Sequence, residues 1–255
     1  MRQYDPQQPV LFSHIPKCAG SSFVRLLRDW FGEEYHKLNQ DERRDIILPR
    51  VPTQDRKGRW LPQVRCIHGH FNHGRGYGLP SFYPEVQQYF SILRDPFDLA
   101  VSMYFFAKGR SRRGEFWFRG QCVDINQQFP NVEDYVQAYP YWFYDHLPQD
   151  VTLDNYEERM RSRFVYLGIF EDLQNSVDHL AMILGKPKTQ LPHFNVSVYD
   201  EPVPEHLREG FYRDYPLLKK IYDLAVSTYR LPGYTFPGNG SPALVPTANS
   251  ADRME

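Results

Sequence analysis

The sequence predicts an α/β fold in which a mostly parallel sheet is flanked by helices. Short apolar runs that suit buried strands alternate with helical segments along most of the chain. The chain has 255 residues, of which 41% are hydrophobic and 16% aromatic, so it can form one packed core and is not globally disordered. We therefore expect one domain over residues 1–236 and a flexible tail, rich in Pro, Gly, Ser and Asn, over residues 237–255.

Each element follows from a local pattern. Buried strands are expected at the short apolar runs over residues 10–15, 63–68, 89–93 and 164–169. The first helix is expected over residues 22–31, because apolar side chains recur there at helical spacing, at Phe23, Leu26, Leu27, Trp30 and Phe31. Further helices are expected over residues 41–48, 98–107, 176–184, 205–214 and 216–229.

Composition excludes several classes of function. The chain carries 30 Lys and Arg against 31 Asp and Glu, which argues against a protein whose whole surface binds nucleic acid or an anionic membrane, and a local basic cleft is the alternative. Cys18, Cys66 and Cys122 are too few and too far apart for a disulfide framework or a zinc site, and are typical of reduced thiols in a cytoplasmic protein. No apolar run approaches the ~18 residues of a membrane span, and the N-terminus has no export signal.

The segment "LFSHIPKCAGSSFVRLL", residues 11–27, joins the first strand to the first helix through a turn of small residues. Backbone N–H groups and the positive end of a helix dipole meet at such a turn, which favours phosphate or sulfate. Gly20 permits close backbone approach, Ser21 and Ser22 offer hydroxyls, and Lys17 lies within reach of the same anion. The turn is not a Walker A motif, in which Lys follows the glycines. The alternative is an ordinary turn with a solvent-facing lysine.

A second strand-to-helix corner occurs in "YFSILRDPFDLAVSMYFF", residues 89–106. Arg94 follows the strand, Asp98 is expected to cap the helix, and Ser102 lies one turn beyond Asp98. Arg94 and Ser102 would together hold a second anion, unless Arg94 simply pairs with Asp95 or Asp98. Two strand-to-helix turns that each bind an anion, at the ends of neighbouring strands, would fit a ligand with separated phosphates.

Three histidines lie at and after the end of the second predicted strand, in "CIHGHFNHG", residues 66–74. His68 and His70 flank Gly69, and His73 is nearby. An imidazole beside an anion site is a natural general base, because its ordinary pKa of about 6.5 leaves it partly neutral. A metal site is disfavoured, since carboxylates at ligand spacing are absent around these histidines, and structural roles for some of them are the alternative.

The motifs "IPKCAGSSF", "HGHF" and "ILRDPFDLAVSMYFF" together resemble the sulfotransferases that use 3′-phosphoadenosine 5′-phosphosulfate (PAPS), and most closely the carbohydrate branch that includes heparan sulfate 2-O-sulfotransferase. Residues 164–185 and 192–197 resemble later parts of that family. The resemblance implies a P-loop-NTPase-like fold and transfer of the sulfuryl group from PAPS to a hydroxyl of a glycan or another small bacterial metabolite. It also implies that no metal is needed.

The resemblance assigns roles to individual residues. Lys17 would lie near the bridging oxygen of PAPS, and the rest of the turn would bind the 5′-phosphate through Cys18, Ala19, Gly20, Ser21 and Ser22. Arg94 and Ser102 would hold the 3′-phosphate. His70 would be the catalytic base, with His68 beside it in the acceptor site. A late loop that carries Asn195 and Ser197 would close over the nucleotide.

Some features depart from the family or leave alternatives. Residues 18 and 20 are Cys and Gly where relatives often carry Thr or another small residue, and the sequence lacks a Golgi anchor and stem, which suggests a soluble bacterial enzyme.

The basic segment 108–116, expected as a mobile loop, would meet an anionic acceptor or form a solvated face, and the aromatic segment 139–144 would stack on an acceptor or pack in the core. A P-loop-like kinase and a non-catalytic nucleotide-binding module are the alternative functions. The missing Walker A and Mg²⁺-binding acidic motifs count against the kinase.

Overall fold

The computed structural model describes residues 1–38, 40–41, 46–47, 50–114, 116–118, 121–138, 141–191 and 203–230. Asn195, Ser197 and the predicted tail over residues 237–255 lie outside these ranges, so their predictions stay untested. No helix in the described ranges is long and apolar enough to cross a membrane.

The described ranges contain both strands and helices. The strands are β1 (Val10–Ser13), β2 (Tyr35–Lys37), β3 (Gln40–Asp41), β4 (Ile46–Ile47), β5 (Cys66–Gly69), β6 (Tyr89–Leu93), β7 (Trp117–Phe118), β8 (Gln121–Cys122) and β9 (Phe164–Ile169). The helices are α1 (Gly20–Phe31), α2 (Pro96–Ser111), α3 (Ile125–Gln128), α4 (Val132–Ala138), α5 (Tyr141–Tyr144), α6 (Tyr156–Arg163), α7 (Leu173–Leu184), α8 (His206–Asp214) and α9 (Pro216–Thr228).

One parallel sheet organises the fold. Its strand order is β2-β5-β1-β6-β9, and each neighbouring pair is parallel. After β1 the chain forms β2 and β5 on one side, then crosses to β6 on the other side, so the strand order reverses between β1 and β6. Crevices outside the carboxyl ends of strands at such a reversal are the usual ligand sites of open α/β sheets. The predicted α/β class, with a parallel sheet flanked by helices, is confirmed.

The core lies on both faces of this sheet. Every residue of β1, β5, β6 and β9 is buried, and since successive side chains point to opposite faces, both faces must be covered. Helix α1 packs near β2 and β5, whereas α7 and α9 pack against β9. The five apolar side chains that predicted the first helix are all buried, at Phe23, Leu26, Leu27, Trp30 and Phe31.

Several predicted elements need correction. The helix expected over residues 41–48 is wrong, because Gln40–Asp41 and Ile46–Ile47 pair as antiparallel strands. The β-branched isoleucines suit such pairing better than a short helix. Strand β2 was not predicted, and neither was α6.

The helix after β6 also differs from its prediction. Its cap is Asp95 and not Asp98, since the Asp95 carboxylate accepts the N–H of Asp98 at 3.1 Å. Helix α2 then continues to Ser111, so the first part of the basic segment 108–116 is helical and not a mobile loop. Glu115 of that segment lies outside the described ranges.

Candidate functional site

The turn after β1 holds two residues in a left-handed backbone conformation. Lys17 has φ 66° and Ala19 has φ 60°, and in the described ranges they are the two non-glycine residues with positive φ. Such a conformation costs on the order of 1–3 kcal/mol per residue and persists where the surrounding fold enforces it, often at functional sites. Ala19 is followed by the helical Gly20, and this alternation directs successive N–H groups to one side, as in anion-binding nests.

The turn also leaves backbone donors without a protein acceptor. The N–H groups of Ser22 and Phe23 donate to the carbonyl of Ala19 at 3.0 and 3.2 Å. None of the described residues accepts from the N–H groups of Ala19, Gly20 and Ser21, and no side chain caps α1. These donors and the positive end of α1 suit an anion.

Gly20 is required at the start of α1 because a side chain would have no room. A Cβ atom on Gly20 would lie 1.7 Å from both Cε1 and Nε2 of His14. The sequence predicted that Gly20 allows close approach of the backbone, and in the structure the approaching group is the imidazole of His14.

Lys17 and Arg94 connect the two turns that were predicted to bind anions. The guanidinium of Arg94, which follows β6, donates to the carbonyl of Lys17 at 3.4 Å and lies 4.7 Å from the ring centroid of Phe170. The Lys17 ammonium lies 4.6 Å from the ring centroid of Phe106. Burial, and secondarily Arg94, lowers the pKa of Lys17. No carboxylate in the described ranges pairs with Lys17, so an anion would relieve the crowding of positive charge.

The carboxylates that follow Arg94 are engaged elsewhere. Asp95 and Asp98 accept hydrogen bonds from the guanidinium of Arg208 at 2.9 and 2.5 Å. Arg94 also acts on Asp98, because its positive charge favours the ionised carboxylate, so pairing of Arg94 with these residues stays an alternative to the predicted anion role. Ser102 is fully buried on α2, and its predicted role at the 3′-phosphate stays a prediction.

The small residues of the turn differ in what they offer. Ser21 is exposed and Ser22 is buried in the first turn of α1. Cys18 is fully buried, its N–H donates to the carbonyl of Ile15 at 3.3 Å, and burial raises the pKa of its thiol. Cys18 therefore packs on the inner side of the turn, and its predicted role in binding the 5′-phosphate stays a prediction.

His70 lies at the carboxyl end of β5, next to the turn. The register of β1 and β5 pairs Ser13 with Gly69, so the following residues leave the sheet side by side. His70 donates from Nδ1 to the carbonyl of His14 at 2.8 Å, and the two rings are 4.2 Å apart between centroids. With its proton on Nδ1, a neutral His70 carries its lone pair on Nε2. That tautomer suits a base.

His68 is buried between two partners. Its Nδ1 lies 2.6 Å from the hydroxyl of Tyr35, and its Nε2 lies 3.1 Å from Nδ1 of His14. His68 therefore contacts the rest of the site through His14. Nε2 of His73 bonds to the carbonyl of Leu79.

A fourth histidine completes the cluster. His146 is buried, bonds through Nδ1 to the carbonyl of Phe71 at 2.6 Å, and its ring centroid lies 6.4 Å from that of His70. Burial is the main cause that lowers the pKa of His70 to about 4 and that of His146 to about 3. Burial also holds the pKa values of His14 and His68 well below the ordinary range. All four imidazoles are thus neutral near pH 7.

The sequence analysis did not predict three residues of this cluster, namely His14, Tyr35 and His146. His14 directly precedes the turn, and parallel pairing of the first two predicted strands would have placed it beside His70. No local pattern points to Tyr35 or His146, because they reach the cluster through contacts distant in sequence.

The predicted acceptor segments are described only in part. Phe143 is buried, which agrees with core packing, while Tyr139 and Pro140 lie outside the described ranges. In the part of the chain that is described, no group of three or more His, Cys, Asp or Glu side chains is arranged to hold a metal ion.

Comparison with known proteins finds likeness at the level of structure. No protein-family model matches the chain, and no curated protein matches it. The solved structure of mouse sulfotransferase SULT7A1 complexed with PAP is similar, with a TM-score of 0.40 and 15% sequence identity. The match covers 83% of this chain but 64% of that chain, so this chain spans less than two thirds of that protein's length.

Proposed function

We propose that this protein is a sulfotransferase that moves the sulfuryl group of PAPS to the hydroxyl of an acceptor. One observation carries the proposal: anion donors and a neutral imidazole base meet at the reversal of strand order between β1 and β6. The donors are the turn after β1, Lys17 and Arg94, which contacts that turn at 3.4 Å. The base is His70, whose Nδ1 is anchored to His14 at 2.8 Å.

The chemistry of these groups fits a nucleotide with two separate anionic groups. The N–H groups of Ala19, Gly20 and Ser21 suit a phosphate oxygen, and Lys17 suits the bridging oxygen on which charge develops. Arg94, together with Ser102, would bind the 3′-phosphate as a planar fork, and Asn195 and Ser197 would close over the nucleotide. Positioning and fixed positive charge supply the catalysis, so no metal is required in this scheme.

The proposed step is an in-line displacement at sulfur. His70 takes the proton of the acceptor hydroxyl on Nε2 while the acceptor oxygen forms a bond to sulfur. The bond from sulfur to the bridging oxygen breaks, and its electron pair leaves with adenosine 3′,5′-bisphosphate. Lys17 and the positive end of α1 stabilise that negative charge. No atom is oxidised or reduced.

The chemical class of the acceptor is a separate part of the proposal. Resemblance of the three motifs to the carbohydrate branch supports a glycan or another small bacterial metabolite that carries a hydroxyl, acted on in the cytoplasm. Screening sugars and small hydroxylated metabolites with radiolabelled PAPS tests this point separately from nucleotide binding.

Isothermal titration with adenosine 3′,5′-bisphosphate tests the nucleotide site. We expect micromolar binding to the wild-type protein, much weaker binding of ATP, and a loss of at least about tenfold in Arg94→Ala. Arg56→Ala, which removes an exposed arginine of a loop, is the matched control and should bind as the wild type does. Equal or tighter binding of ATP would favour a kinase or NTPase, and bisphosphate binding without turnover on any acceptor would favour a non-catalytic nucleotide-binding module.

A further inference from the structure

We propose that His14 is an anion-binding donor of the turn, and that a hydrogen-bond chain from Tyr35 through His68 fixes its proton on Nε2. The proposal rests on the proposed function for the identity of the ligand, whose 5′ anion would sit in the turn. His14, which is not among the predicted site residues, would then contact the substrate directly.

The hydrogen bonds that link Tyr35, His68 and His14 can run in either of two directions. The hydroxyl of Tyr35 lies 2.6 Å from Nδ1 of His68, and Nε2 of His68 lies 3.1 Å from Nδ1 of His14. A neutral imidazole carries one N–H, so each histidine must donate on one side and accept on the other. Either all protons point from Tyr35 towards His14, or all point the other way.

Tyr35 decides between these directions. Its hydroxyl is buried, and apart from His68 no residue in the described ranges accepts its proton. If Tyr35 accepted from His68, its own proton would be left unpaired in the protein interior, which is unfavourable. Burial also raises the pKa of Tyr35, which keeps the phenol protonated. Tyr35 therefore donates to His68.

The direction of the chain sets the tautomer of His14. Because Tyr35 occupies Nδ1 of His68 as a donor, His68 donates from Nε2 to Nδ1 of His14. The proton of a neutral His14 is then on Nε2, on the ring edge that lies against Gly20 at the start of α1. Gly20 itself carries one of the N–H groups for which no described residue is the acceptor.

His14 and His70 thus carry opposite tautomers although their rings are only 4.2 Å apart. His70 donates from Nδ1 to the carbonyl of His14, so its Nε2 is an acceptor. His14 presents a donor on Nε2. A donor is suited to an anionic oxygen, and an acceptor is suited to the proton of the attacking hydroxyl. Both rings are half-buried, so both can reach a ligand.

Nitrogen NMR of protein with ¹⁵N-labelled histidine tests the tautomers without a ligand. We expect His14 to show a protonated Nε2 and His70 a protonated Nδ1, and we expect the Nε2–H signal of His14 to shift when inorganic sulfate or adenosine 3′,5′-bisphosphate is added. A proton on Nδ1 of His14, or a signal that neither anion moves, would overturn the proposal. Failure of the bisphosphate alone to bind would count against the proposed function, and the sulfate titration would still decide the role of His14.

Variants extend the test to affinity. Tyr35→Phe removes the donor that orients the chain, and we expect bisphosphate to bind about three- to tenfold more weakly, with adenosine 3′-monophosphate unaffected. Tyr166→Phe is the matched control, because it removes a buried phenol that donates to the carbonyl of Tyr229 instead. His14→Gln keeps an N–H donor near the position of Nε2 and should retain most of the affinity that His14→Asn loses. Unchanged bisphosphate affinity in both Tyr35→Phe and His14→Asn would overturn the proposal.

Discussion

Lys17 combines an unfavourable backbone conformation with an ammonium that no described carboxylate neutralises. Its φ of 66° is costly for any residue with a side chain, while its charge lies over the ring of Phe106. A site that served only to connect β1 to α1 would place glycine here at no steric cost. The retained side chain therefore points to a use for the charge.

Lys17→Ala should lower kcat by about 10² or more, because in the proposed mechanism it removes the charge that stabilises the leaving phosphate. Alanine and lysine are equally disfavoured at positive φ, so the variant leaves the backbone strain unchanged and tests the ammonium alone. Steady-state turnover with labelled PAPS is the measurement. Lys57→Ala, at an exposed loop position, is the control, and near-native turnover of Lys17→Ala would contradict the role of Lys17.

His70 should stay neutral well into the acid range, because burial lowers its pKa to about 4. A depressed pKa keeps the lone pair on Nε2 available, whereas an ordinary histidine would be half protonated near pH 6.5. The ring signals of His70 should therefore show no titration between pH 8 and about 5.5, as NMR can follow. Bound bisphosphate should raise this pKa, since negative charge favours the imidazolium.

The corresponding variant is His70→Ala, for which we expect a loss of about 10²–10⁴ in kcat with little change in bisphosphate affinity. Turnover retained in the variant would exclude His70 as the base, whereas a midpoint at or above 6.5 in the free protein would contradict only the effect of burial on its pKa.

At the scale of elements, local sequence patterns predicted α1 and the turn before it, although a local pattern also predicted a helix over residues 41–48 where two short strands pair. The helical spacing of Phe23 to Phe31 predicted α1, and Gly20 with Lys17 predicted the turn. The hydrogen bonds from Tyr35 through His68 to His14 could not be predicted from the sequence, because they depend on β2 pairing with β5 and β5 with β1. Pairing between strands distant in sequence is set by the packing of the whole sheet, and no local periodicity reports it.

Arg208 links α8 to the start of α2, where it binds Asp95 and Asp98. Burial, and next the neighbouring Asp95, raises the pKa of Asp98, so these carboxylates repel each other unless a cation lies between them. We expect Arg208→Ala to destabilise the fold by about 1–2 kcal/mol, a figure already reduced for partial solvent exposure.

The variant should also weaken bisphosphate binding, because the two released carboxylates would compete for Arg94. Urea unfolding and titration calorimetry measure these two effects. Arg213→Ala is the matched control on the same helix, since the exposed Arg213 pairs with its neighbour Asp214. If Arg208→Ala were as stable and bound bisphosphate as well as the control, the link between α8 and α2 would have no function at the anion site.

At the scale of the whole molecule, the histidine cluster couples the site to the stability of the fold. His14, His68, His70 and His146 come from three different parts of the chain and meet at the carboxyl edge of the sheet. Burial lowers the pKa of each, so protonation of each is less favourable in the folded protein than in the unfolded chain. The arrangement that prepares a neutral base therefore makes the fold sensitive to acid.

The sign of this effect follows from proton linkage. The folded pKa values lie below the unfolded value near 6.5, so below that pH the unfolded chain binds more protons than the native protein, and stability falls as pH falls. Each such histidine contributes about 1.4 kcal/mol per pH unit between about 6.5 and its folded pKa, which is about 4 for His70 and about 3 for His146. Asp98 and Glu171 have raised pKa values and offset part of this loss.

We expect the free energy of unfolding, measured with urea between pH 7.5 and 5.5, to decrease steeply once the pH drops below about 6.5. His146→Gln should reduce that slope by at most about 1.4 kcal/mol per pH unit, since one group with a lowered pKa is removed. Bisphosphate should make the slope shallower at the same time, because an anion beside His14 and His70 raises their folded pKa values towards 6.5. A stability that is constant or rises towards pH 5.5 would mean that the four imidazoles do not share the buried, neutral state on which the proposed site depends.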